Sequence, residues 1–133
     1  FNWMRLFLTL SILSFCILAK AQNCKPSIDI KVNICGSKYF KDSICPACND
    51  CYPRLIASDS NYSIVSFLLV AGGEGFEDNI EMAHNTGSGF NDIPVRKILM
   101  KVRPGSFVEI SCIKARLKDG RLYILQPLFI ELK

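Results

Sequence analysis

The stretch that most restricts how this chain can fold runs from residue 92 to residue 125, DIPVRKILMKVRPGSFVEISCIKARLKDGRLYIL. Asn91 or Asp92 is a natural N-cap, and Pro94 is tolerated in a first helical turn. Val95, Ile98, Leu99 and Val102 recur at helical spacing, so a short helix with one apolar stripe is predicted. Arg103-Pro104-Gly105-Ser106 stops that helix and turns the chain. In the strand that follows, polar residues fall at Glu109 and Ser111, then at Lys114, Arg116 and Lys118. The parity changes across Cys112-Ile113, and side chains on a strand alternate strictly between faces. A β-bulge at this point would reset the two faces. Lys118-Asp119-Gly120 is a tight hairpin signal, and Arg121 to Leu125 is predicted to pair back.

The remaining chain reads as strands and turns around this piece. Ile28, Ile30, Val32 and Ile34 alternate with polar neighbours, the pattern of a half-buried strand over 27–34. Residues 35–61 hold glycine, proline, serine and cysteine without a sustained period and read as loop. Tyr62 to Val70 is apolar on both parities, as expected of a strand covered on both faces. Gly72, Gly73 and Gly75 mark a turn, residues 79–84 a short strand, and 85–91 another turn. Gln126-Pro127 interrupts, and Leu128, Ile130 and Leu132 alternate in a last strand. At least six strands and one short helix predict a mainly β fold, an antiparallel Ig-like β-sandwich.

The N-terminus sets the compartment. Arg5 precedes an apolar or hydroxyl run from Leu6 to Ala19, and Ala19-Lys20-Ala21 is an A-x-A site. This is the layout of a signal peptide over residues 1–21, cleaved after Ala21. The run is short for a bilayer span of about 20 residues, so no stable membrane span is expected after cleavage. The product is expected in the periplasm or outside the cell.

Cleavage removes Cys16 from the seven cysteines and leaves Cys24, Cys35, Cys45, Cys48, Cys51 and Cys112. An even set in an oxidising compartment points to disulfides, and six cysteines allow fifteen full pairings. Cys112 stands apart, so a bridge from it would clamp the Cys-rich segment onto the sandwich. Two other chemistries fit the C-x2-C-x2-C run at Cys45, Cys48 and Cys51. With Cys35 or Cys24 as a fourth thiolate it is a candidate tetrahedral zinc site. Cys45-Pro46-Ala47-Cys48 is also a candidate redox dithiol. Against zinc, a second C-x2-C knuckle is missing; against redox, no βαβ pattern surrounds the motif. The expectation is therefore disulfides, with no metal and no cofactor.

Charge and motif content exclude several function classes. Without Arg5 and Lys20 the chain has 14 basic and 12 acidic side chains, a balance of +2. That is too small for a nucleic-acid surface. The glycine turn lacks the G-K-[ST] of a phosphate loop. His84 is the only histidine, and no nucleophile-base-acid set accompanies it. An enzyme is not expected.

Several of these motifs together resemble a known family. Tyr62-Ser63-Ile64-Val65-Ser66-Phe67, the glycine turn at 72–75, Arg103-Pro104-Gly105-Ser106-Phe107-Val108, Ile113-Lys114-Ala115 and Asp119-Gly120-Arg121 carry the resemblance. Residues 62–133 are similar to the C-terminal Ig-like domain of the GldM gliding-motility and secretion family of Bacteroidota. Leu117-Lys118 stands where that family's hairpin has Gly-Pro. The resemblance implies a non-enzymatic envelope module that acts through protein–protein contact, with secretion or gliding machinery as the partner class. The domain reading is then a signal peptide at 1–21, a Cys-rich segment with one strand at 22–61, and the β domain at 62–133. Loops 71–78 and 85–92 are the expected contact sites, because loops on a rigid sheet commonly carry recognition.

Overall fold

The computed structural model describes residues 24–35 and 53–132. The predicted signal peptide, Cys16, Cys45, Cys48 and Cys51 lie outside these residues. Among these described residues, seven strands and one helix follow in order. They are β1 (Val32–Cys35), β2 (Arg54–Ala57), β3 (Tyr62–Gly73), β4 (Glu81–Thr86), α1 (Ile93–Leu99), β5 (Ser106–Leu117), β6 (Leu122–Ile124) and β7 (Leu128–Glu131). The protein is mainly β, and every strand pairing among the described residues is antiparallel.

The larger sheet runs β4-β3-β5-β6, with β7 pairing β5 beside β6. The smaller sheet is the β1-β2 pair. One apolar cluster joins them. Phe67, Leu69 and Ala71 of β3, and Val108, Ile110, Ile113 and Ala115 of β5, belong to it. Val32 and Ile34 of β1, Leu55 and Ala57 of β2, and Val95, Ile98 and Leu99 of α1 complete its far side. The β1-β2 pair and the helix thus cover one face of the five-stranded sheet, and residues on both sides of Tyr62 share one core.

The parity change in β5 is a bulge, as its sequence requires. Leu68 opposes Ser111 and Ser66 opposes Lys114, so two residues of β3 face three of β5. A second irregularity, between Ile64 and Ser66, adds one residue to β3. The two offsets cancel, and Tyr62↔Leu117 and Gly73↔Ser106 share one register. Both strands therefore change faces at one level. In β5 the buried positions switch from Val108 and Ile110 to Ile113 and Ala115. In β3 the inward positions switch from Tyr62 and Ile64 to Phe67, Leu69 and Ala71. Much of the two-parity apolar pattern of β3 comes from this switch. The rest comes from its outer face, where Val70 is buried and Phe107 stacks on Phe129, ring centroids 5.9 Å apart.

Two elements differ from the sequence reading. The strand expected over 27–34 forms a ladder only from Val32, although alternate burial runs from Ile28 to Ile34. The loop expected over 35–61 contains β2, whose Leu55 and Ala57 face the core while Arg54 and Ile56 face out. Four residues give too short a window for a period to stand out. Helix α1 matches its stripe, with Val95, Ile98 and Leu99 buried and Met100 as C-cap.

Candidate functional site

The chain's chemistry gathers at three places on this scaffold: the bulge, the loop after β4, and the glycine turns at the end of the β3-β5 ladder.

At the bulge, Cys112 adopts a left-handed backbone with φ 50°. Its sulfur is bonded to that of Cys24, with the two Cα atoms 4.9 Å apart. The expected clamp from Cys112 to the N-terminal segment is therefore present, and its partner is Cys24. The bridge also fixes the chain entering β1. Ser27 N–H donates to the Ile124 carbonyl at 2.9 Å, and Ile124 N–H donates to Ser27 Oγ at 2.9 Å. Gln126 N–H donates to the Ile30 carbonyl at 3.1 Å, and Gln126 Nε2 donates to the Ile28 carbonyl at 3.4 Å. Ile28 and Ile30 pack against the core. Of the other sequence-predicted site residues, Cys35 ends β1, opposite Arg54 of β2. Cys45, Cys48 and Cys51 lie outside the described residues, so thiol and metal chemistry distinguishes the disulfide, zinc and dithiol readings of that cluster.

The loop after β4, expected as a contact site over 85–92, is organised by a residue that sequence reading treated as ordinary turn. Asn85 is fully buried. Its Nδ2 donates to the carbonyls of Thr86, Gly87 and Gly89 at 3.2, 3.3 and 2.7 Å. Its Oδ1 accepts from the Asp92 N–H at 3.3 Å. A buried amide satisfied in this way holds the loop backbone in one shape. Asp92 is the N-cap of α1 by position but makes no side-chain cap bond. Its Oδ2 instead accepts from the Thr86 N–H at 2.9 Å, occupying a donor at the outer edge of β4. Phe90 fills the core against Phe67, ring centroids 4.8 Å apart.

The solvent face of α1 carries Arg96 and Lys97, basic residues near the negative end of the helix dipole. Ile93 and Met100 are 69% and 76% exposed, with Arg96 and Lys97 between them. Arg96 donates to Asn91 Oδ1 at 3.5 Å. Lys101 pairs with Glu81 at 2.7 Å, and Arg103 with Glu74 at 3.2 Å. Exposed pairs of this kind contribute at most about 1 kcal/mol each.

The glycine turns form the third place. Gly73, Glu74, Gly75, Glu77, Asp78, Arg103 and Gly105 line an open cavity of about 500 Å³. Three carboxylates face one guanidinium there, so its field is acidic. The turns interlock closely. A Cβ on Gly75 would lie 2.3 Å from the Lys101 carbonyl oxygen, at a φ of +91° that side chains avoid. Buried Ser106 ties the two turns together. Its Oγ accepts from the Arg103 N–H at 3.0 Å and donates to the Glu74 carbonyl. This ordered, acidic end is the loop expected as a contact site over 71–78.

His84 is exposed on β4, opposite Leu68 of β3. Among the described residues, no three potential metal ligands cluster, and no helix is long and apolar enough to cross a membrane. No family model matches the chain, and neither does any curated protein or solved structure.

Proposed function

We propose that this chain is a small exported, non-enzymatic module of the bacterial cell envelope that works by protein–protein contact. The observation that carries this reading is the Cys24–Cys112 bridge. Structural disulfides belong to oxidising compartments, which agrees with export through the signal peptide at 1–21 and with a periplasmic or secreted product. On this reading the β1-β2 pair and the five-stranded sheet are the two layers of an Ig-like sandwich. Residues 62–133 are a relative of the GldM C-terminal domain. The remaining cysteines, Cys35, Cys45, Cys48 and Cys51, close two further bridges. The partner is an envelope protein, with secretion or gliding machinery as the class the family resemblance suggests.

Contact is assigned to the two ordered loops. The acidic turn at 71–78 and the Asn85-organised loop at 85–92 are held by buried hydrogen bonds, so little ordering entropy is lost when a partner docks. The apolar and basic face of α1 adjoins the second loop.

Intact mass and thiol counting on the chain exported with its own leader test this reading. The expected product begins at Gln22, gains six hydrogens on reduction, has no free thiol before it, and carries no metal. Stoichiometric zinc with four unreacted thiols would overturn it in favour of a metal site at Cys35, Cys45, Cys48 and Cys51. A single reducible bridge beside a labile Cys45–Cys48 pair would favour the redox dithiol.

A further inference from the structure

The segment from Cys24 to Ile30 is attached to the fold differently from every strand. It forms no ladder, yet Ser27 and Ile30 bond to Ile124 and Gln126 at the edge of β6 and just beyond it. The contacts advance in the same direction along both segments, as in a parallel pair. Leu125, between those two residues, turns its N–H the other way and donates to the Ile113 carbonyl of β5 at 2.8 Å. The outward amides of 124 and 126 are thus satisfied by the N-terminal segment, and the inward amide of 125 by the sheet. What holds the segment down is little besides the bridge: these few hydrogen bonds, the partly buried Ile28 and Ile30, and Cys24–Cys112 itself. Both bridging cysteines are only half-buried, so a reductant can reach them.

We propose that Cys24–Cys112 is a redox latch over a hidden strand edge. In the oxidised protein it seats residues 24–30 along 124–126. Reduction releases that segment and opens the edge, while the sheet stays folded. The step is thiol–disulfide exchange with a dithiol reductant. A thiolate of the dithiol attacks one sulfur of the bridge, giving a mixed disulfide and one free cysteine thiolate. The second thiol of the reductant then displaces the other cysteine. The Cys24–Cys112 bond is reduced to two thiols by two electrons and two protons, and the dithiol leaves as a disulfide. Losing the bridge leaves the segment held by short, solvent-accessible contacts, which open at low free energy. The opened edge presents the Ile124 N–H and C=O and the Gln126 N–H without partners. Such an edge is a template for another extended chain.

The pattern of amides gives a test that a merely structural bridge would fail. Residue-resolved hydrogen exchange is followed on the full chain in oxidised form, with excess dithiol, and as the Cys24→Ser/Cys112→Ser double variant. The variant separates this bridge from any others that the dithiol reduces. The expected result is loss of protection by at least tenfold at Ser27, Ile124 and Gln126 in both reduced and variant protein. Leu125, Leu69 and Ile110 should stay at least tenfold better protected than those three amides in the same samples, exchanging only through global unfolding. Unchanged protection at Ser27, Ile124 and Gln126 overturns the latch. Exchange of Ser27, Ile124 and Gln126 at the same free energy as Leu125, Leu69 and Ile110 also overturns it, because the segment would then open only with the whole sheet. If the double variant fails to fold, the dithiol titration of the wild-type chain decides between the same outcomes.

Discussion

The bulge level and the glycine end of the β3-β5 ladder meet the same backbone demand with different chemistry. Both contain left-handed residues, Cys112 at φ 50° and Gly73 and Gly105 at 83° and 91°. At Gly73 and Gly105 the conformation costs little sterically, because no Cβ is present, and the turns are fixed by Ser106 and by backbone approach. At the bulge a side chain is required, because its sulfur must reach Cys24, so a cysteine accepts a backbone that glycine would favour. Local hydrogen bonds secure a turn between neighbouring strands. A covalent bond is used where residues 88 apart in sequence must meet and the segment brought in has no ladder of its own.

The comparison can be broken most directly at the bridge. A chain-entropy estimate for a loop of 88 residues gives a contribution of about 4–5 kcal/mol. The Cys24→Ser/Cys112→Ser variant should lose about that much unfolding free energy by denaturant titration. A loss under about 1 kcal/mol would mean that the bridge contributes little beyond holding residues 24–30.

The next largest effect belongs to the glycine end. Gly75→Ala forces a Cβ against the Lys101 carbonyl and a strained φ, and should cost about 2–3 kcal/mol. Thermal melting checks it; an unchanged midpoint would show that the turn and the end of α1 move apart freely. Ser106→Ala removes one buried hydroxyl with two hydrogen bonds and should cost about 1–2 kcal/mol. Crystal or NMR structures of that variant should show the turns at 74 and 103 separating while the bulge is unmoved.

The smallest effect is at the hairpin tip, where Gly120 also takes a left-handed backbone but the local side-chain bonds are exposed. There the Arg121 backbone N–H donates to the Asp119 carboxylate, and the Arg121 guanidinium sits 2.6 Å from it. These bonds hold the Asp119 carboxyl below its ordinary pKa, the backbone bond foremost. The ionised form is therefore favoured by folding. Its contribution is complete above the ordinary carboxylate range and is lost as pH falls through the lowered folded value. Both groups are exposed, so Asp119→Asn should flatten the acid limb of the stability profile only slightly. A large change in that limb would show that the hairpin is coupled to the core.

Much of this architecture is legible in the residues. The polar positions of β5 changed parity between Ser111 and Lys114, and the bulge lies there. The stripe at Val95, Ile98 and Leu99 marked α1 and its buried face. Gly120 has the positive φ of a tight turn after Lys118-Asp119. Other features had no local signature. In β3, a second bulge and a partly covered outer face mimic one continuous apolar run. Strand β2 is too short to show a period and gains its identity from pairing with β1 and from Leu55 in the core. Asn85 looks like any turn asparagine, and only its complete burial among three carbonyls reveals what it organises.

What the sequence by itself determined are the local choices. Alternation, parity breaks and turn residues act within a few positions, and each is read from neighbouring residues. They specify where most strands and the helix lie, which faces are apolar and where β5 must bulge. Only the tertiary structure decided which distant parts meet: Cys24 with Cys112, the Ser27 segment with 124–126, and the β1-β2 pair against the larger sheet. Such pairings depend on register and on the closure of long loops, whose entropic cost varies slowly with length and so favours no single partner. Six cysteines admit many pairings on composition alone, and the fold selects one for Cys112 by turning its backbone towards Cys24.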